Sequence, residues 1–343
     1  MPKTLRTKSD GIISIPQITP KEIKYCENKS TTYKFSDGTI KNPGCINCIP
    51  QFCRQINRLD VTCKTFLGMS HDMDFSLCPV DAISAGNESI SINETKCIGC
   101  GICAARCPIG AIYIKDGKAT LSAGNVETQK RKASTNSIEA QRKYVLSIAN
   151  IKREGTIITE TESNLKMLYE RIRRLNQEQQ NILARNLLIA LGNHATLSRH
   201  GNVYLRMDGF YENNSVCGVM EIETGADMLD VSRALLDDIA TVNVRYNIPV
   251  NKNKPLAVCL ELPNKRTDYW QVVQDIKNVT DIRINTITFG ALLILLWNNK
   301  VVRDFSGFYI DIDNQSIREE TSRILGRRIN IAEGFKGILE ISK

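Results

Sequence analysis

Between residues 202 and 225 the chain reads NVYLRMDGFYENNSVCGVMEIETG. Val203, Leu205 and Met207 alternate with Tyr204, Arg206 and Asp208, the two-residue period of a β-strand. NNS at 213–215 supplies a turn, and VCGVMEIETG reads as the returning strand. Because successive strand side chains leave opposite faces, Glu221 and Glu223 emerge on one side, and a neighbouring strand brings Asp208 beside them. Carboxylates on an otherwise apolar strand are costly unless they are solvated or hold a cation. Hard divalent ions such as Mg²⁺ take oxygen ligands of this kind. The plainer reading of the same residues is a hairpin with solvated acids on its outer face.

The flanks extend the pattern. Upstream, Thr159 with Glu162 forms a capping-box signature, and Leu165, Leu168, Ile172, Leu175 and Ile182 recur at three- and four-residue steps. This predicts one long amphipathic helix whose polar side carries Lys166, Arg171, Arg173, Arg174 and Arg185. Downstream, Met228, Val231, Leu235, Ile239 and Val242 mark a second helix. LAVCLEL at 256–262 is an apolar strand, TDYWQVVQDI at 267–276 is another helix, and the second half of RINTITFGALLILLW at 283–297 suits strand or helix.

With Asp208 followed by Glu221-Ile222-Glu223 between two helices, the region resembles the PD-(D/E)xK nuclease superfamily, restriction-endonuclease branch. The resemblance implies an α/β domain with an αβββαβ core, spanning 159–343. It further implies that Asp208 and Glu221 bind Mg²⁺ and that Glu223 stands at the family's lysine position, the three forming the catalytic set. Met207 replaces the family's proline. Lys265 or Arg266 is a candidate for the missing positive charge, although a surface role suits both. Glu178 is a candidate outer acid that a solvated role also explains.

Ten of the twelve cysteines lie before residue 110. In a reducing compartment such a density points to metal binding rather than disulfides. Cys97, Cys100, Cys103 and Cys107, followed by Pro108, follow the C-x2-C-x2-C-x3-C-P spacing of iron–sulfur ligation without a gap. Gly99 and Gly101 let the backbone pass close to inorganic sulfide. An altered partner motif precedes it: Cys45, Cys48 and Cys53, then Cys78-Pro79, where CPVDAI at 78–83 parallels CPIGAI at 107–112. Paired CxxC zinc knuckles match this spacing poorly.

The array resembles the two-cluster bacterial ferredoxin family, an α+β fold built from a duplicated unit. That implies two [4Fe-4S] clusters in a domain spanning 40–123, after an N-terminal extension at 1–39. Cys45, Cys48, Cys53 and Cys107 would hold one cluster, and Cys97, Cys100, Cys103 and Cys78 the other. The first motif is interrupted, leaving Cys63 as an alternative to Cys53, or as a buried thiol like Cys26.

Charge is unevenly distributed. Residues 124–206 hold 14 Lys/Arg against 7 Asp/Glu, a surplus of 14 − 7 = 7, within a total of +8. This segment begins with a polar, basic linker, 124–158, carrying Lys130, Arg131 and Lys132. A polyanion-facing surface is the sharp reading and a solvated helix the bland one. The former makes double-stranded DNA the expected partner, through Arg171, Arg173 and Arg174, with homodimerisation left open. The longest apolar run, ITFGALLILLW at 287–297, is too short to span a bilayer, and the first residues lack the apolar core of a signal peptide. A cytoplasmic protein without membrane association is expected.

These features predict a Mg²⁺-dependent, sequence-specific DNA endonuclease carrying two iron–sulfur clusters. The alternatives are an iron–sulfur electron-transfer protein with a partner-docking C-terminal domain, and a cluster-sensing DNA-binding regulator. A GxGxxG after a strand and a P-loop are both absent from the sequence, which removes the usual nucleotide sites.

Overall fold

A computed structural model of the chain describes residues 33–34, 40–41, 78–85, 90–103, 112–115, 118–121, 160–198, 206–213, 216–225, 228–298, 300–311, 316–329 and 337–342. In its N-terminal region strands pair as three antiparallel two-stranded ladders. They are β1 (Tyr33–Lys34) with β2 (Ile40–Lys41), β3 (Ile83–Ala85) with β4 (Ile90–Ile92), and β5 (Ile112–Lys115) with β6 (Lys118–Leu121). The last two follow parallel Cys-Pro motifs. β3 begins at the Ile of CPVDAI and β5 at the Ile of CPIGAI.

The C-terminal region is a mixed α/β domain. Helices α1 (Glu160–Ile172) and α2 (Gln177–Ala190) lead into β7 (His194–Leu197), β8 (Gly209–Glu212) and β9 (Cys217–Glu223). Helix α3 (Leu229–Tyr246), β10 (Leu256–Cys259), α4 (Tyr269–Thr280), β11 (Asn285–Thr288), α5 (Phe289–Trp297) and α6 (Arg318–Leu325) follow. Five strands form one sheet in the order β11-β10-β9-β8-β7. The β7-β8-β9 meander is antiparallel, while β10 runs parallel to both β9 and β11. From α2 to β10 the order is helix, three strands, helix, strand.

The expected single helix over 159–185 is two helices. Asn176 is the reason: its Oδ1 accepts from Gln179 N at 2.8 Å and Gln179 Oε1 accepts from Asn176 N at 3.2 Å, a capping box that starts α2 afresh. Such a cap contributes about 1 kcal/mol. The capping box expected at Thr159 falls outside the described residues. Arg185, expected on the polar side, is fully buried in α2, where Nη1 donates to Asn186 Oδ1 at 3.1 Å and Nε to the Ala195 carbonyl at 3.4 Å. It takes no part in a surface field.

Of the strand expected over 203–208, residues 203–205 lie outside the described residues and 206–208 are not strand; β8 begins at Gly209. Strand β7 leaves no pattern in the sequence, because HATL is too short to show alternation. The second half of RINTITFGALLILLW is helical: Thr288 Oγ1 caps α5 by accepting from Ala291 N at 3.1 Å, and all nine residues of α5 are buried. Each large aliphatic side chain so buried contributes roughly 1.5–3 kcal/mol. Among the described residues no helix is long and apolar enough to cross a membrane.

Helix α3 packs on β9 and β10 with α4 beside it, and α2 packs on β7 and against α5. Ile98, Cys100 and Ile102 of the cysteine loop join this same core.

Candidate functional site

Among the described residues two arrangements carry chemistry. The first is the cysteine loop. Cys78, Cys97, Cys100 and Cys103 line one pocket, walled by Pro79, Val80, Ala82, Ile83, Ile92, Ile98 and Ile102. Gly99 and Gly101 also line it, at φ 79° and 82°, a left-handed conformation that a side chain would strain. Cys78 Sγ accepts a hydrogen bond from Ala82 N at 3.3 Å. Burial pushes the thiols of Cys78 and Cys100 up. Thiolate at these positions therefore needs a cationic centre to sustain it.

Among the described residues no group of three or more His, Cys, Asp or Glu is arranged to hold a metal ion. The four cysteines border a space instead of meeting at a point. Four thiols in an apolar lining suit a cluster better than a lone cation. These are the four residues expected to share the second cluster. Of the first, Cys45, Cys48, Cys53 and Cys107 lie outside the described residues, as do Cys26 and Cys63.

The second arrangement is acidic. Asp208 immediately precedes β8, and pairing of Gly209 with Met220 sets it beside Glu221. The Asp208 N–H donates to Glu221 Oε1 at 3.0 Å, while Asp208 Oδ2 accepts from Ile222 N at 2.8 Å and Oδ1 from Asn181 Nδ2 at 3.2 Å. Glu221 and Glu223 share a face of β9, with Ile222 buried between them. Glu223 Oε1 accepts from Gly225 N at 2.6 Å.

A residue absent from the sequence reading completes this group. Asp238, on α3, is 2% exposed and meets Glu221 carboxyl to carboxyl. Burial, then the charges of Asp208 and Asp238, push Glu221 up to about 9. Burial pushes Asp238 to about 6, and burial also raises Asp208. The missed signal was present in α3: Asp238 falls seven residues after Val231 and three after Leu235, on the apolar stripe itself.

Acceptors outnumber donors here. Asp238 Oδ2 and Asn181 Oδ1 are buried without a hydrogen-bond partner. Asp238 is buried and Asp208 and Glu221 are half-buried, and a cation here would offset the two unpaired oxygens. Mg²⁺ is commonly held by only one or two carboxylates, its other positions taken by water and phosphate, so a pair such as Asp208 and Glu221 could hold it.

The remaining expected residues are dispersed. Arg171 Nη1 donates to the Ile98 carbonyl at 2.9 Å and Nη2 to Met167 Sδ at 3.3 Å. Arg173 pairs with Glu170 and with Glu261. Arg174 is exposed. Lys265 and Arg266 lie in the exposed turn before α4, and Glu178 is exposed in the first turn of α2.

Residues 90–113 match the 4Fe-4S binding domain family. An uncharacterised ferredoxin of Methanocaldococcus jannaschii is 38% identical over 71 residues, 21% of this chain and 38% of its own. Component A of hydrogenase-4 from Escherichia coli is 56% identical over 36 residues, 10% of this chain and 18% of its own. The chain spans well under half the length of these relatives. Among solved structures, the restriction endonuclease FokI is 12% identical, with a TM-score of 0.29 over 64% of this chain and 39% of that one. A likeness of that size bears no weight. The cysteine spacing, the cavity and the matched family agree: this chain carries a ferredoxin-like 4Fe-4S binding domain in its N-terminal region.

Proposed function

We propose that the C-terminal domain is a Mg²⁺-dependent DNA endonuclease of restriction type, with an αβββαβ core, joined to a ferredoxin-like domain holding two [4Fe-4S] clusters. The observation supporting it is the surplus of buried acceptors around Asp208, Glu221 and Asp238, which a cation would relieve. Mg²⁺ supplies the positive charge that polarises a phosphodiester and acidifies a water. The chain's own residues prepare that place. Asp208 and Glu221 are the ligands, each fixed by a backbone N–H. Asn181 steadies Asp208 from α2, and Asp238 acts on Glu221 from α3. Glu223 lies one residue beyond Ile222 on the same face as Glu221, where it lends negative charge toward Asp208.

The test is direct. Anaerobically prepared protein is incubated with supercoiled plasmid and phage DNA, with Mg²⁺ or with EDTA. Nicked or discretely cut DNA only with Mg²⁺ is expected; intact DNA under all metals tried would sink the proposal.

A second reading has more direct support from the sequence relatives, which are ferredoxins and electron-transfer components. In it the clusters pass electrons and the C-terminal domain docks a redox partner. Cys97 and Cys103 are only half-buried, leaving that edge of the cluster cavity near the surface. Rapid electron transfer from the reduced protein to a soluble acceptor, with DNA left intact, would favour this reading over the first.

A further inference from the structure

The cluster loop is fastened to the C-terminal domain at two of its peptide groups. Arg171 Nη1, at the end of α1, donates to the Ile98 carbonyl at 2.9 Å. Trp297 Nε1, at the end of α5, donates to the Cys100 carbonyl at 3.1 Å. Trp297 is 1% exposed.

A trans peptide is planar, with its C=O and N–H pointing in opposite directions. Holding the Ile98 carbonyl toward α1 therefore turns the Gly99 N–H away from α1. Holding the Cys100 carbonyl toward α5 turns the Gly101 N–H away from α5. Both glycines line the cysteine cavity. Neither Arg171 nor Trp297 lines that cavity, so both carbonyls are drawn away from it, while the Ile102 N–H acts on the Cys100 sulfur inside it.

We propose that Arg171 and Trp297 are positioning residues for the iron–sulfur centre, holding the 98–99 and 100–101 peptides so that the negative ends of the Ile98 and Cys100 carbonyls are kept off the cluster. This rests on the 4Fe-4S assignment and is independent of the nuclease reading. N–H groups directed at cluster sulfurs stabilise the reduced, more negative state, and hydrogen bonding to sulfur is one of the terms that set cluster potential. The Arg171 charge acts in the same direction. The helices that frame the C-terminal core thereby help to set the cluster's potential.

The experiment is a midpoint-potential titration of the full-length reconstituted protein, followed by electron paramagnetic resonance, with iron content and far-UV circular dichroism measured in parallel. Trp297→Phe keeps a ring and loses the donor; Arg171→Met keeps the stem and loses donor and charge; Arg171→Lys keeps both charge and a donor. Trp297→Phe and Arg171→Met are expected to shift the potential to more negative values, with Arg171→Lys restoring most of the wild-type value. Loss of cluster iron in either donor-deleting variant, with helix content retained, would equally support the proposal. Should Trp297→Phe disturb the buried core, Arg171→Gln, which drops the charge and keeps an N–H donor, separates the hydrogen bond from the charge. Wild-type potential and iron content in Arg171→Met would overturn it. Wild-type protein that takes up no iron would instead remove the 4Fe-4S assignment beneath it.

Discussion

Asp208 and Glu221 are locked by a reciprocal arrangement: the Asp208 N–H donates to Glu221 Oε1 at 3.0 Å, and the Asp208 carboxylate accepts from the N–H following Glu221 at 2.8 Å. Each acid thus depends on the β8–β9 register for its place. A slip by one residue would send one of them to the opposite face.

On the nuclease reading, Asp208→Asn and Glu221→Gln should each lower Mg²⁺-dependent cleavage by at least roughly a hundredfold, the scale of losing one preorganised electrostatic contact. DNA affinity should change little. Gel-based cleavage and filter binding, run side by side, separate the two effects. Cleavage at wild-type rates in both variants would leave the acids without a catalytic role.

Without metal, thermal stability should fall as pH rises. Glu221 is raised from an ordinary 4.5 to about 9, so between those values the folded state binds more protons than the unfolded one. The stability this contributes is present near pH 4.5 and is lost as pH approaches 9. Mg²⁺ prefers the deprotonated acids and should restore stability most at the upper end. Melting temperatures across pH, with Mg²⁺ and with EDTA, test both signs; a slope unchanged in Glu221→Gln would count against Glu221 as its source.

Asp238→Asn removes a neighbouring negative charge that helps hold Glu221 high. The onset of Mg²⁺-induced stabilisation should therefore move to lower pH, while its size decreases. Metal-free stability should hold steady or rise. An onset identical to the wild type would show that Asp238 acts on neither Glu221 nor the cation.

Iron analysis should give about eight atoms per chain if both sets of cysteines are filled, and about four if only one is. Cys78→Ser should impair the cluster of Cys97, Cys100 and Cys103, whose cavity it shares. Cys107→Ser should impair the other. Damage to the Cys97 set by Cys107→Ser alone would reverse the assignment.

Arg174→Ala should reduce the salt dependence of DNA binding by about one unit of slope, the value of one lost phosphate contact. Arg173→Ala should matter less, since its guanidinium is already paired with Glu170 and Glu261. Equal effects from both would mean that DNA displaces those pairs.

Much of this molecule was legible in its residue order because the relevant physics is local. The spacing of Cys97, Cys100 and Cys103 follows from what one tight loop can reach, and the placement of Glu221 and Glu223 on one face follows from the strand period. The sheet-forming character of 217–223 and 256–259 and the helical character of 229–246 are carried by short periodic patterns.

What the tertiary structure decided are relationships between segments distant in sequence. Asp238 joins Glu221 because α3 packs back on β9. Arg185, which pattern alone assigns to the surface, is buried because α2 is enclosed by β7 and α5. Arg171, a surface cation by periodicity, donates to a loop 73 residues away, and Trp297 to one 197 residues away. A residue's period states which face it occupies. Only the packing of a second element, whose burial is cooperative and long-range, states what that face meets.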